Sequence, residues 1–232
     1  MTEKRLVLWD IDLTLVDLRG LGGAWYTSAL ASVTGATLTE LPSFPGRTEK
    51  AITTELLTAH GIEPTDELIE KIWAELEALS LQALPTLADY GHALPGAAAA
   101  LSTMAGREDV VQSLVTGNLP EVARHKLSAF GLHEHIDFEI GGYGTLSTHR
   151  PDLVAFARAR AAERHGTRFA PDAVVVIGDT PHDIEAGLHH GAVAVGVATG
   201  KHSEAELRDS GAHTVLPDLS DTSAVLAAVL GS

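Results

Sequence analysis

Leu6-Val7-Leu8-Trp9-Asp10-Ile11-Asp12-Leu13-Thr14 decides the fold. Four apolar residues make a short buried strand, and the run ends in two carboxylates and a hydroxyl. Open α/β sheets bind their ligands beyond the carboxyl ends of strands. This stretch therefore carries acidic groups to the place where a ligand sits. Side chains alternate along a strand, which puts Asp10 and Asp12 on one face. Two carboxylates so close repel unless a cation or a shared proton relieves them.

The second half of the chain repeats the pattern. Ala173-Val174-Val175-Val176-Ile177 is β-branched and uncharged, and it ends in Gly178-Asp179-Thr180-Pro181-His182-Asp183. Proline is favoured in a first helical turn, so a helix starting near Pro181 places Asp179 at the strand tip and Asp183 in that turn. Carboxylates at two strand ends make a hard, oxygen-rich site of the kind Mg²⁺ prefers. Between them, Val110–Val115 leads into Thr116-Gly117-Asn118-Leu119-Pro120-Glu121. A hydroxyl and free N–H groups ahead of a helix suit an anion such as phosphate.

These three signals, in this order, resemble the haloacid dehalogenase-like hydrolase superfamily. Asp10-Ile11-Asp12-Leu13-Thr14 is similar to its first motif, Thr116-Gly117-Asn118 to its second and Gly178-Asp179-Thr180-Pro181-His182-Asp183 to its fourth. The resemblance implies that Asp10 is a nucleophile that forms an aspartyl-phosphate, and that Asp12 is the general acid and base. It implies Mg²⁺ held by Asp10, the Asp12 backbone carbonyl, Asp179 and Asp183. Thr116, Gly117 and Asn118 would bind the phosphoryl oxygens. The second Asp of the first motif argues for phosphoryl transfer and against dehalogenation, because a leaving alkoxide needs a proton.

The third motif departs from the pattern. The family offers a Lys followed by Pro, whereas the matching position here reads His149-Arg150-Pro151-Asp152. A planar guanidinium and a compact ammonium are not equivalent. Arg150 fits by position, and Lys126, on the preceding helix, is the alternative.

The 232 residues suffice for one large or two small domains, and 45% apolar content supports a substantial core. No cysteine is present, which excludes disulfides and thiolate metal sites. A net charge of −15 opposes binding to nucleic acid or to anionic membranes. No apolar run is long enough to span a bilayer, and Met1–Arg5 leads into the first strand without a signal-peptide core. A cytoplasmic monomer or homodimer acting on a small phosphorylated molecule is the expectation. His182, His189 and His190 are read as surface or packing residues, since neighbours on a helix face different ways.

From Ala88 onward, strand and helix patterns alternate. Helices are expected near 96–105, 120–130, 151–165, 181–190, 203–210 and 220–230, and strands near 110–115, 136–140, 173–178, 192–198 and 213–216. Such alternation predicts an α/β, Rossmann-like three-layer sandwich with a mostly parallel sheet. Residues 18–88 differ. Ala24–Val33, Thr48–His60 and Thr65–Leu84 read as helices, and Leu68, Ile69, Ile72, Leu76 and Leu79 recur at helical spacing. The expected division is a catalytic core of residues 1–17 and 89–232 and an inserted α-helical cap of 18–88.

The core motifs see only a phosphoryl group, so specificity falls to the cap. Pro45-Gly46-Arg47-Thr48 places an Arg just before a helix, and Arg suits a carboxylate or phosphate through paired hydrogen bonds. Trp25 and Tyr26 are read as lining the pocket mouth or packing the cap; Asp17 and Arg19 are weaker candidates to face the site. The leading functional expectation is a Mg²⁺-dependent phosphatase, phosphoglycolate phosphatase-like. The alternatives are a β-phosphoglucomutase-like phosphomutase and a ligand-binding or regulatory protein on the same fold.

Overall fold

The computed structural model describes residues 4–18 and 20–231. In chain order the elements begin with β1 (Arg5–Trp9), β2 (Val16–Asp17), α1 (Leu21–Thr34), α2 (Glu49–Ala59), α3 (Asp66–Ala83), α4 (Leu87–Tyr90) and β3 (His92–Ala93). They continue with α5 (Ala97–Ala105), β4 (Val110–Thr116), α6 (Pro120–Ala129), β5 (Gly142–Tyr143), α7 (Arg150–His165) and β6 (Val174–Gly178). The chain closes with α8 (Pro181–His189), β7 (Val193–Val197), α9 (Glu204–Asp209), β8 (Thr214–Leu216) and α10 (Thr222–Leu230).

Six strands form one sheet in the order β5-β4-β1-β6-β7-β8, and every pairing is parallel. A parallel sheet is covered on both faces, which is why its strands read as continuous apolar runs. Alternation along β1 divides the core. Val7 and Trp9 pack under α5, α6 and α10, while Leu6 and Leu8 pack under α7 and α8. Trp9 is fully buried, and its indole N–H donates to Gln112 Oε1 at 3.2 Å. Gln112 Nε2 in turn donates to Leu101 O at 2.9 Å, so the buried polar pair is satisfied.

The expected strand at 136–140 is not there. Residues 138–140 make a 3-10 turn, and the edge strand is only Gly142–Tyr143. Ile136, Phe138 and Ile140 are buried in the core from this irregular segment, so their apolar spacing is that of a packed loop. The other strand and helix expectations lie within a few residues of the observed elements. Two helix starts are fixed by reciprocal capping boxes, Thr180 with Asp183 and Ser203 with Glu206.

Helices α1 to α4 carry a cluster of their own, with Leu30, Leu56, Leu57 and Ile72 fully buried. Leu119 and Val122, the latter from α6, belong to the same cluster, so the helical layer packs onto the core beside the second motif. The two connecting segments pair antiparallel, Val16 with Ala93 and Asp17 with His92. Among the described residues, no helix is long and apolar enough to cross a membrane.

Candidate active site

Asp10, Thr116 and Asp179 stand at the carboxyl ends of three adjacent strands, β1, β4 and β6. Strand β1 stops at Trp9, and the Asp10 N–H donates to Ile177 O at 2.9 Å. The chain then turns sharply, with the N–H groups of Leu15 and Val16 both donating to Ile11 O. Leu13 takes φ 60°, the one positive φ outside glycine among the described residues. A β-carbon makes that conformation costly, and such strain clusters at functional sites. Asp12 thus reaches the cavity from a turn. The expected strand alternation does not bring it beside Asp10.

Each acid of this pair meets its own cation. Lys126 Nζ donates to both Asp12 oxygens, at 2.6 and 2.8 Å, and to Asn118 Oδ1 at 2.7 Å. Asn118 Nδ2 donates to Asp12 Oδ2 and to Thr116 Oγ1, each at 2.8 Å. Arg150 Nη2 lies 3.0 Å from Asp10 Oδ1 and 2.5 Å from Asp183 Oδ1. Its Nε is buried without a hydrogen-bond partner. Burial pushes Asp12 up, but the Lys126 charge and the bonds from Lys126 and Asn118 outweigh it and hold the carboxyl below its usual range. For Asp10 the balance is the reverse. Burial raises it, and nearby Asp183 and Asp12 add to the rise against the pull of Arg150.

Asp10, Asp179 and Asp183 bring one carboxylate oxygen each within 4.8 Å of one another, and all three residues are buried. Asp179 is pushed up by burial and by its acidic neighbours Asp183 and Asp10. Glycines make room for this cluster. A β-carbon on Gly178 would meet Asp183 Cγ at 2.2 Å, and one on Gly200 would meet Asp179 Oδ2 at 1.8 Å. A crowded, buried, all-oxygen acidic donor set fits a hard divalent cation such as Mg²⁺.

The helical layer touches this floor through backbone. Glu49 N–H donates to Gly117 O and Lys50 N–H to Gly144 O, each at 2.9 Å. The approach needs glycine: a β-carbon on Gly117 would meet Arg47 O at 2.0 Å, and one on Gly144 would meet Gly117 O at 1.8 Å.

Over residues 7–187 the chain matches the family model of haloacid dehalogenase-like hydrolases. The chain belongs to that family. Three solved structures illustrate the fold of this haloacid dehalogenase-like hydrolase. A family IA, variant 3 hydrolase from Entamoeba histolytica is 18% identical with a TM-score of 0.69, covering 97% of this chain and 99% of its own. A "predicted phosphoglycolate phosphatase" from Haemophilus somnus is 18% identical with a TM-score of 0.64, over the same shares of 97% and 99%. A family hydrolase from Deinococcus radiodurans, solved with bound phosphate and sodium, is 24% identical with a TM-score of 0.55, covering 99% of this chain and 97% of its own. No curated protein matches the chain in sequence.

Both third-motif candidates of this haloacid dehalogenase-like hydrolase reach the site, with different neighbours. Arg150 holds Asp10 and Asp183, and Lys126 holds Asp12 and Asn118. Arg47 borders the cavity, but its guanidinium is spent on Glu55, at 2.5 Å, and on Ser43 O, at 3.3 Å. Trp25 and Tyr26 do both jobs foreseen for them, being buried in the helical cluster and lining the cavity. Asp17 also lines it, and Arg19 lies outside the described residues. His182 is exposed beside Glu185, and His190 Nε2 lies 2.8 Å from Pro151 O.

Glu49 was not legible as a site residue. An acid in the first turn after a Thr cap is ordinary helix chemistry. Folded, it is a buried carboxyl on the cavity wall that accepts a hydrogen bond from the Tyr26 hydroxyl. Burial pushes it up to about 8, with Lys126 lowering it and Asp12 raising it.

Proposed function

We propose that this protein is a Mg²⁺-dependent phosphatase of a small phosphorylated metabolite, acting through an aspartyl-phosphate on Asp10. Its layout is phosphoglycolate phosphatase-like, with residues 1–17 and 89–232 as the catalytic core and 18–88 as a helical cap. The observation that carries the reading is the division of the two acids. Asp10 sits against Arg150 at the acidic cluster, and Asp12 sits against Lys126 and Asn118. Two carboxylates in unlike surroundings are the arrangement that gives two chemical roles.

Asp10 Oδ attacks phosphorus, the P–O ester bond breaks, and its electron pair leaves with the alcohol oxygen. Asp12 delivers the proton to that oxygen. Water then attacks the phosphorus of the aspartyl-phosphate while Asp12 takes its proton, which frees inorganic phosphate and restores Asp10. Lys126 keeps Asp12 ionised in the free protein, the form that activates water. A phosphoryl anion arriving beside it raises the carboxyl and lets it carry the proton for the first half. Thr116 Oγ1, the backbone N–H groups of Gly117 and Asn118, and Arg150 would bind the phosphoryl oxygens. Asp10, Asp179, Asp183 and the Asp12 carbonyl would hold Mg²⁺, which when bound neutralises repulsion between Asp10 and the anionic substrate.

The test is phosphate release from phosphoglycolate, sugar phosphates, nucleoside monophosphates and phosphoserine, with and without Mg²⁺. Mg²⁺-dependent release that favours one compound is expected. Isomerised sugar phosphate without free phosphate would replace this reading with a phosphomutase, and silence from folded, Mg²⁺-loaded protein would remove it.

A further inference from the structure

The cavity over the acidic cluster has a volume of about 310 Å³. That is near the lower bound for small-molecule sites, so the molecule attached to the phosphoryl group is compact. Its floor is polar. Its far wall is carbon: Trp25, Tyr26, Phe44, Leu76, Leu119 and Val122. Tyr26 and Phe44 stack, with ring centres 5.3 Å apart and planes inclined by 20°. Burying carbon against such a wall is favourable, and aromatic faces add a preference for planar groups.

One ionisable group faces the cavity from helix α2, and it is an acid. Glu49 accepts from Tyr26, and a carboxyl has acceptor capacity for further donors. A buried polar group is costly until it is paired, so the wall is built to meet a donor on the ligand. Arg47 is committed to Glu55 and Ser43. Lys201 borders the cavity from the core side, next to Gly200, which packs on Asp179.

Resting on the phosphatase reading, we propose that the substrate is a phosphomonoester of a compact, carbon-rich alcohol carrying a hydroxyl or ammonium that donates to Glu49. The wall then selects by apolar contact and by the unpaired Glu49 that a ligand without the donor would leave, since specificity needs a penalty against the wrong ligand as well as a gain for the right one.

Calorimetric titration of the full chain with Mg²⁺ tests this with two phosphonates that cannot be hydrolysed. Benzylphosphonate is expected to bind at least tenfold tighter than phosphonoacetate. Phe44→Ala should weaken benzylphosphonate about tenfold with little effect on phosphonoacetate. Phosphonoacetate binding as well as or better than benzylphosphonate would overturn the proposal. So would inorganic phosphate binding while benzylphosphonate does not, which leaves the phosphatase reading intact. Failure of inorganic phosphate itself to bind would count against the phosphatase reading and the proposal together.

Discussion

On the floor of the cavity, Asp10, Asp12 and Asp183 each face a cation at hydrogen-bonding distance, and Asn118 ties Asp12 to Thr116. On the far wall, aromatic and aliphatic side chains from the helical layer and from α6 surround one carboxyl. The floor hangs on strand ends and is held by charge. The wall hangs on amphipathic helices and is held by burial. Chemistry common to a family belongs on the rigid sheet, and selection belongs on helices whose surface residues are free to vary.

The comparison is tested most severely at the floor. Asp12→Asn keeps the shape of the side chain and removes its proton. Turnover of an alkyl phosphomonoester is expected to fall by about 10²–10⁴-fold, the usual contribution of a positioned acid or base. A near-native kcat would remove Asp12 from that role.

Arg150→Met next probes the metal-free protein. Taking away a buried cation leaves Asp10 and Asp183 uncompensated, which typically costs about 3–5 kcal/mol. Thermal unfolding at pH 8 should show the loss, and saturating Mg²⁺ should recover part of it by binding the folded state. An unchanged Tm would mean that the Arg150 contacts carry no weight.

A smaller effect tests how floor and wall meet. Gly144→Ala pushes a β-carbon to 1.8 Å from Gly117 O and 2.5 Å from Glu49 N. Backbone must shift, at a cost of about 1–3 kcal/mol, and KM should rise as α2 loses its seat. Unaltered stability and KM would show that the helical layer does not depend on this contact.

The smallest effect lies on the wall itself. Glu49 is raised to about 8 by burial, with Lys126 pulling it down, Asp12 pushing it up and Tyr26 donating to it. Its folded value exceeds the unfolded one, so its contribution to stability is full below the ordinary carboxylate range and is lost as pH rises through about 8. Glu49→Gln cannot ionise. Its Tm should therefore gain on wild type as pH climbs from 5 to 9, and parallel Tm profiles would contradict the assignment.

The sheet was readable because buried parallel strands leave continuous apolar runs, and the motifs close those runs. That signal puts Asp10, Thr116 and Asp179 at strand ends, and the fold has them there. The strand expected at 136–140 is absent because Ile136, Phe138 and Ile140 alternate like a strand while packing from an irregular segment that includes a 3-10 turn. Arg47 stands out in the sequence for its charge; in the fold it borders the cavity and also pairs with Glu55. Glu49 was hidden because its position in the chain already had an ordinary helix explanation. Pairing between distant segments decides such cases, and no local pattern encodes it.

The most direct measurement is rapid acid quench during turnover with Mg²⁺, followed by peptide mass spectrometry. One phosphoryl group is predicted on the peptide that contains Asp10, absent from an Asp10→Asn protein that is folded and inactive. A phosphoryl group on any other residue, or an Asp10→Asn protein that turns over at the wild-type rate, would contradict the account.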